Sequence, residues 1–167
     1  ICVSVNSTSN SDTNNLYYNT VYIAAKSSGT NFGTSGLFHA ASSTSTTAAL
    51  NLRNNNIYNA STYMGSGLIV AYRRSVGTAG TLANYVSTSN TNNFYAGPSS
   101  VTNVIYNDGT STGQTMANYN NGIFTAGTIS PRDAASFTED PEFQSTTGSS
   151  ANFLKFRVTI AKQTESG

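Results

Sequence analysis

The sequence predicts an all-β protein built as an antiparallel β-sandwich of the jelly-roll kind. Apolar and polar residues alternate at a period of two along much of the chain, which is the pattern of half-buried strands. Clusters of Gly, Asn, Asp and Pro interrupt these runs at roughly 8–15-residue intervals, as in sandwiches and barrels. No helical stripe is present and no internal repeat of fixed period is detected, which argues against a solenoid. Residues 1–167 are therefore expected to form a single sandwich domain.

The predicted strands follow in chain order. Short alternating runs begin at Val21 and Ala48, and a clearer one covers residues 65–76. The clearest covers 152–162, where every second residue from Leu154 to Ile160 is apolar, as in a strand with one face toward water. Weaker strands are predicted at 37–38, 57–58, 82–86, 101–106, 115–119 and 123–129.

Two turns are predicted from residues that tolerate positive φ angles. Asn107-Asp108-Gly109 lies between two of the weaker strands. We therefore expect a hairpin that joins residues 101–106 to 115–119. Asn120-Asn121-Gly122 predicts the turn into the next strand.

The composition replaces charge with hydroxyl and amide groups. Charged residues make up 9 % of the chain, whereas 69 of its 167 residues are Ser, Thr or Asn; soluble domains usually carry roughly a quarter charged residues. The net charge is +1 and Arg73-Arg74 is the only adjacent basic pair, so no nucleic-acid partner is expected. No apolar run is long enough to predict membrane insertion.

The sequence predicts no enzyme, no catalytic residue and no metal site. His39 is the only histidine, so several imidazoles cannot gather within one chain. Four of the seven acidic residues lie in the segment 133–142. This segment is interpreted as a solvated loop that Pro131 and Pro141 keep out of a sheet. Two alternatives stay open: oxygen ligands for Ca²⁺, or the paired carboxylates of a glycosidase.

The candidate ligand-binding residues come from four clusters that place amides beside an aromatic ring in or near a turn. Sugars are bound by rings that stack on the pyranose while amides pair with its hydroxyl groups. The same residue types also serve protein interfaces, or simply fill strand ends and turns. The candidates are Tyr17, Tyr18, Asn56, Tyr58, Asn93, Tyr95, Tyr119 and Asn121.

Part of the chain resembles a known family. Residues 20–38, from Thr20-Val-Tyr-Ile-Ala-Ala to Gly-Leu-Phe38, followed by 48–58, resemble the opening strands of concanavalin/laminin-G-like sandwiches. Residues 101–109 are similar to a later strand, and Tyr119-Asn-Asn-Gly122 to the family's Tyr-x-Asn-Gly hairpin. The resemblance covers about half the chain and implies glycan or protein recognition. The composition also resembles viral capsid jelly rolls and β-rich extracellular filament subunits.

We therefore expect a non-enzymatic exterior module of a virion or cell-surface assembly that recognises a glycan or protein through Tyr/Asn-rich loops. The alternative is a structural subunit of a capsid or extracellular filament, held by strand contacts through Ile1–Val5 and Leu154–Ile160. Both place the protein outside the cell or on a virion. Its expected partners are copies of itself, other assembly proteins, or a cell-surface glycan used for attachment.

Overall fold

The structure, a computed structural model, describes residues 2–6 and 11–157, with Ile123 described by its backbone only. Within these residues the chain is rich in strands and has one short helix, α1, Met116–Asn121. The strands are β1 Val3–Val5, β2 Thr13–Tyr17, β3 Thr20–Ile23, β4 Thr34–His39, β5 Ala49–Arg53, β6 Asn56–Asn59, β7 Ile69–Arg74, β8 Asn93–Tyr95, β9 Asn103–Asn107, β10 Thr112–Gly113, β11 Ile123–Phe124 and β12 Gly127–Thr128.

The predicted antiparallel sandwich is wrong, because most strand pairs are parallel. Sheet A has the order β1-β4-β7-β9-β10, sheet B pairs β2 with β5, and sheet C has the order β3-β6-β8. All of these pairs are parallel except β9 with β10. Strands β1 to β7 go to sheets A, B and C in turn. In the next circuit, sheet B is continued only by isolated bridges at Tyr85 and Asn90, before β8 joins sheet C and β9 joins sheet A. The described residues therefore form a three-sided parallel β-solenoid, and they contain no sandwich of the kind that the family resemblance implies.

The register shows the repeat that the sequence analysis did not detect. In sheet C, Thr20 pairs with Asn56 and Asn56 with Asn93, so one coil takes 36 and then 37 residues. In sheet A, Thr34 pairs with Ile69 and Ile69 with Asn103, which are 35 and 34 residues apart. The expectation of no internal repeat is therefore wrong. The repeat is hidden because the corners vary in length while each strand is short.

A period of two is common to parallel and antiparallel strands with one buried face, which explains the wrong prediction. Val21, Ile57 and Phe94 stack in register inside the solenoid and are almost fully buried. Their neighbours on the outer face are Tyr22, Tyr58 and Tyr95, whose rings meet edge to face at centroid distances of 5.5 and 5.1 Å. Each coil therefore adds one residue to the core and one tyrosine to the outside of sheet C.

A ladder of asparagine side chains runs inside the corner between sheets B and C, here called the B–C corner. The Oδ1 of Asn55 accepts from the backbone N–H of Asn19 at 3.0 Å, and the Oδ1 of Asn92 accepts from that of Asn55 at 3.1 Å. Ser136 continues the ladder, since its Oγ accepts from the N–H of Asn92 at 2.9 Å. The ladder satisfies backbone donors that turn away from the sheets, which buried groups require.

Asp133 closes the ladder and is fully buried. Its carboxylate accepts from the hydroxyls of Tyr85 (2.6 Å), Tyr119 (2.7 Å) and Ser136 (2.7 Å), and from Nδ2 of Asn92 at 3.0 Å. Burial raises the pKa of Asp133, whereas these four hydrogen bonds lower it. The carboxylate therefore joins residues 85, 92, 119 and 136 through hydrogen bonds at the last coil.

A second polar cluster surrounds the fully buried Arg74 at the end of β7. Its guanidinium donates to the carbonyl of Thr81 (2.8 Å) and Oδ1 of Asn84 (2.7 Å), and lies against the imidazole of His39. Nε2 of His39 donates to the carbonyl of Ala48 at 2.9 Å, an assignment that leaves Nδ1 to accept from Arg74. This arrangement requires a neutral imidazole.

The predicted hairpin after residue 106 is only partly right. β9 turns at residues 108–111 and pairs antiparallel with β10, but the predicted strand 115–119 is mostly helix α1. Thr115 begins this helix because its hydroxyl accepts from the N–H of Asn118. Tyr119 then packs on Tyr106 and Phe94 at the end of the core.

Residues 137–157 cross the outer face of sheet C. The ring of Phe143 lies 6.1 Å from Tyr22 and 6.0 Å from Tyr58, and Phe156 lies 5.5 Å from Phe143. The predicted strand 152–162 is wrong over residues 152–157, which form turns and isolated bridges, such as that between Phe143 and Phe156. Its remaining residues lie outside the described part of the chain. No helix in the described ranges is both long enough and apolar enough to cross a membrane.

Candidate functional site

A half-open groove of about 550 Å³ runs along the outside of the B–C corner. The corner residues of successive coils form its floor, and the segments 139–142 and 156–157 form one wall. The residues that line it are Tyr18, Asn19, Thr20, Asn54, Asn55, Asn56, Thr91, Asn93, Phe137, Glu139, Asp140, Pro141, Glu142, Phe156 and Arg157.

Three of the floor residues hold the same backbone conformation in successive coils. Tyr18, Asn54 and Thr91 have left-handed φ angles of 56°, 54° and 60°. This conformation costs a non-glycine residue roughly 1 kcal/mol or more, and a β-branched residue such as Thr91 pays the most. Glycine would be unstrained at all three positions, yet each carries a side chain into the groove. Such local strain is found most often at functional sites.

The floor contains one amide donor without a partner. Asn56 is only 8 % exposed, and its Oδ1 accepts from Nδ2 of Asn93 at 3.1 Å. The Nδ2 of Asn56 makes no hydrogen bond. Asn93, by contrast, is fully used, because its amide also exchanges two hydrogen bonds of 2.8 and 2.9 Å with the backbone of Glu139. This nitrogen is closed off from solvent, so it is an unpaired polar atom inside the corner and not a contact for a ligand in the groove.

Three aromatic rings along the groove are open to solvent. Tyr18 is 80 % exposed, Phe156 is 52 % exposed and Phe137 is 41 % exposed. Each exposes a large flat apolar surface beside the amides of the floor. The groove can therefore contact a ligand that has both apolar faces and hydroxyl groups.

The wall is acidic. It contributes Glu139, Asp140 and Glu142, all exposed, against one cation, Arg157. Asp140 is held in place, since its Oδ1 accepts from the N–H of Glu142 at 3.0 Å. Burial and, secondarily, the negative charge of Asp140 raise the pKa of Tyr58 to about 12.

The groove brings together three of the eight predicted ligand-binding residues: Tyr18, Asn56 and Asn93. Tyr58 and Tyr95 lie nearby in the tyrosine stack of sheet C, partly buried.

The remaining three predicted residues lie away from the groove. Tyr17 lies on sheet B, where its hydroxyl donates to Oδ1 of Asn15. Tyr119 is buried in the core and donates to Asp133, and Asn121 is exposed at the end of α1.

The asparagine ladder and the rings of Phe137 and Phe156 were not predicted from sequence. The missed signal is a four-residue motif, Asn-(Thr/Asn)-apolar-Tyr, which occurs at 19–22, 55–58 and 92–95. In each copy the first residue joins the ladder, the second begins a strand of sheet C, the third enters the core and the Tyr faces outward. No comparable motif marks Phe137 or Phe156, which reach the groove from a segment without regular structure.

The acidic segment divides between the core and the groove. Asp133 is buried beneath the last coil, whereas Glu139, Asp140 and Glu142 line the wall. In the two described ranges, no three His, Cys, Asp or Glu side chains gather in a way that could hold a metal ion. The interpretation of this segment as a fully solvated loop therefore applies only to its wall residues.

No protein-family model matches this chain, and neither the curated proteins nor the solved structures give a significant match. A functional proposal therefore rests on the groove itself.

Proposed function

We propose that this chain is a non-enzymatic glycan-binding module that acts outside the cell or on the surface of a virion. The observation that carries the proposal is the groove on the B–C corner, whose lining combines exposed aromatic rings with asparagine amides. A pyranose has an apolar face and a rim of hydroxyl groups, and a surface of rings and amides complements both.

The solenoid gives the groove a length suited to an oligosaccharide. Its floor takes residues from successive coils, beginning at Tyr18, passing Asn54 and Thr91, and reaching Phe137. Parallel strands stack about 4.8 Å apart, so four such levels extend the groove over about 14 Å. A short run of linked sugars fits this length better than a single ring does.

The floor is held in position before any ligand arrives. Asn55, directly beneath it, donates to the carbonyls of Leu16 and Arg53 at 2.8 and 2.9 Å. Such bonds fix the corner in one conformation, so binding loses little entropy at the floor. Recognition then depends on regular corners of the solenoid, rather than on the Tyr/Asn-rich loops expected from the sequence.

Removing the exposed rings tests the proposal. Tyr18→Ala and Phe137→Ala are each expected to weaken glycan binding about five- to thirtyfold, because each removes roughly 1–2 kcal/mol of apolar contact. A glycan array first identifies the ligand, and titration calorimetry then compares the variants. Tyr63→Ala is the matched control, since Tyr63 is 41 % exposed and lies outside the groove. Absence of binding to any glycan, or variants that bind like the wild type, would refute the proposal.

One observation favours the second candidate, a structural subunit of a capsid or filament. Within residues 2–6 and 11–157, β1, β2 and β3 each pair only with the following coil, so one strand edge of each sheet is unpaired. Such edges can accept strands of another chain. The other end of the solenoid is covered by α1 and the residues that follow it.

This candidate predicts a particular size in solution. Contact through one open end produces a closed dimer, whereas a filament needs two joining surfaces. Light scattering over a concentration series is therefore expected to show dimers if this end alone joins two chains, and larger particles if a second surface of a structural subunit also takes part. A monomer at every concentration would contradict the structural role and would agree with a detached binding module.

A further inference from the structure

We propose that Phe143 positions the wall of the groove, and that the segment which it anchors closes on a bound glycan. This segment, residues 140–157, is here called the flap. Because the flap forms most of the wall of the groove, this inference rests on the proposed function and concerns the same site. It is carried by the way in which the flap is attached to the solenoid.

The backbone of the chain follows sheet C only as far as Glu139. Phe137 forms a parallel bridge with Asn93, whose amide exchanges hydrogen bonds of 2.8 and 2.9 Å with the backbone of Glu139. Beyond this point, backbone hydrogen bonds join pairs of residues within the flap, namely Gln144 and Lys155, Leu154 and Ser145, and Arg157 and Glu142. The flap is therefore a small hydrogen-bonded unit that lies on the outside of the sheet.

The flap has a single aromatic anchor. Phe143 is 8 % exposed, and it is the only residue between 137 and 157, all of them described, whose side chain is buried. Its ring lies 6.1 Å from that of Tyr22 and 6.0 Å from that of Tyr58. These two tyrosines are paired in register on neighbouring strands of sheet C. One ring therefore fastens the flap to a rigid row of tyrosines.

Such an attachment is released more readily than the core beneath it. Segments with few buried apolar contacts open at a lower free energy than core strands do. Glu142 and Leu154 also hold left-handed φ angles of 42° and 54°, which are unfavourable for residues with side chains. An isolated pair of short extended segments is at best marginally stable in water. The flap therefore loses its own hydrogen bonds when Phe143 leaves the tyrosines.

Phe143 acts on the groove through a second ring. The ring of Phe156 lies 5.5 Å from that of Phe143, is 52 % exposed and lines the groove. Phe143 itself is not part of the lining. A glycan that touches both the floor and Phe156 meets both only while the flap is attached, so its binding stabilises the attached state. Phe143 and the glycan thus hold the flap in the same position.

Limited proteolysis with trypsin tests the anchor without any glycan. Lys155 lies in the flap, and Lys26, exposed between β3 and β4, is the internal reference. We expect Phe143→Ser to accelerate cleavage after Lys155 about tenfold and to leave cleavage after Lys26 unchanged. Phe143→Tyr keeps the ring and should behave like the wild type. Cleavage of Phe143→Ser at the wild-type rate after Lys155 would overturn the inference.

Phe153→Ser is the matched control for this experiment. It removes the same type of side chain from the same segment, but Phe153 is 41 % exposed and does not line the groove. We expect its cleavage after Lys155 to remain within about twofold of the wild type. An acceleration equal to that of Phe143→Ser would show that the flap has no particular anchor.

Binding measurements test whether the flap closes on the ligand, with the tightest-binding oligosaccharide of the glycan array as the probe. Phe143→Ser is expected to weaken its binding about tenfold, mainly through faster dissociation, and Phe143→Tyr to restore it. Reciprocity requires that the saturating oligosaccharide slow cleavage after Lys155 of the wild type by a similar factor. A residue that only stabilises the fold would produce no such protection.

The possible failures are distinguishable. If the oligosaccharide binds wild type and Phe143→Ser equally and does not protect Lys155, the inference is overturned and the glycan-binding module stands. Tighter binding by Phe143→Ser would also overturn it, since the flap would then cover the site instead of completing it. If the array identifies no oligosaccharide, the proposed function and the closure on a glycan both fall, whereas trypsin still shows whether Phe143 anchors the flap.

Discussion

Replacing Asp133 by alanine is expected to lower the free energy of unfolding by about 4 kcal/mol or more. Asp133 is fully buried and accepts four hydrogen bonds, from three hydroxyls and the amide of Asn92. Alanine leaves four buried donors without an acceptor, and each such donor costs roughly 1–3 kcal/mol when nothing replaces its partner. The summed cost is the largest expected from any single side chain described above.

Denaturant unfolding of wild type and variant measures this loss. Asp133→Asn is the matched variant, because asparagine keeps one acceptor oxygen and tolerates the left-handed φ of 54° at this position. Its loss should be smaller than that of the alanine variant. Asp12→Ala, at an exposed acid, serves as the surface control and should change stability by less than about 0.5 kcal/mol. An alanine variant within about 1 kcal/mol of the wild type would show that Asp133 does not hold the last coil together.

Acidification is expected to destabilise the protein through His39. Burial, and then the positive charge of Arg74, lower the pKa of His39 from 6.5 to about 3, although its hydrogen bond to Ala48 acts in the opposite direction. The unfolded chain therefore binds a proton between pH 6.5 and 3 that the folded chain does not. Stability is unaffected by this group above pH 6.5, and falls by up to about 1.4 kcal/mol per pH unit through the window below it.

Unfolding curves recorded from pH 7 to pH 4 for wild type and His39→Gln isolate this effect. Burial raises the pKa of Asp133, so protonation of that carboxyl favours the folded state and acts against His39 as the pH falls. Subtracting the two pH profiles removes this contribution, because Asp133 is present in both proteins. The wild type should lose on the order of 3 kcal/mol more than His39→Gln over the window. Parallel profiles would mean that His39 is protonated in the folded protein or is not buried beside Arg74.

The strands could be predicted from sequence better than their arrangement. Alternation places Val21 and Ile57 on buried faces and Tyr22 and Tyr58 on outer faces, and the structure agrees. Alternation cannot show whether the next strand along the sheet is 10 or 36 residues away. The spacing of the repeated Asn-(Thr/Asn)-apolar-Tyr motif contains that information. The role of its first residue, which joins the ladder in the B–C corner, can be recognised only once the solenoid is known.

Part of the lining of the groove could be predicted from sequence for a physical reason. Tyr18, Asn56 and Asn93 were identified because amides and rings at chain reversals are suited to recognition. Tyr119 fits the same pattern, but its hydroxyl donates to a buried carboxylate, so its ring belongs to the core. Local sequence does not distinguish these two outcomes, since the partner, Asp133, lies 14 residues further along the chain.

The burial of Arg74 was also hidden from sequence. It follows Arg73 in an alternating run, where a charged residue is normally assigned to water. Its position depends on acceptors that come from distant turns, namely the carbonyl of Thr81 and the amide oxygen of Asn84. The burial of Arg74 can therefore be explained only from the folded structure, in which these acceptors surround its guanidinium.

The stacking of equivalent corners gives the groove a repeating unit of fixed length. Each coil brings one left-handed residue, one ladder asparagine and one outward tyrosine to the same line, about 4.8 Å from the last. A duplication of residues 55–91, which span one coil, is expected to insert one further coil between the two ends of the solenoid. The groove would lengthen by the same step, so if the proposed function holds, the length of the preferred ligand is expected to increase with the number of coils.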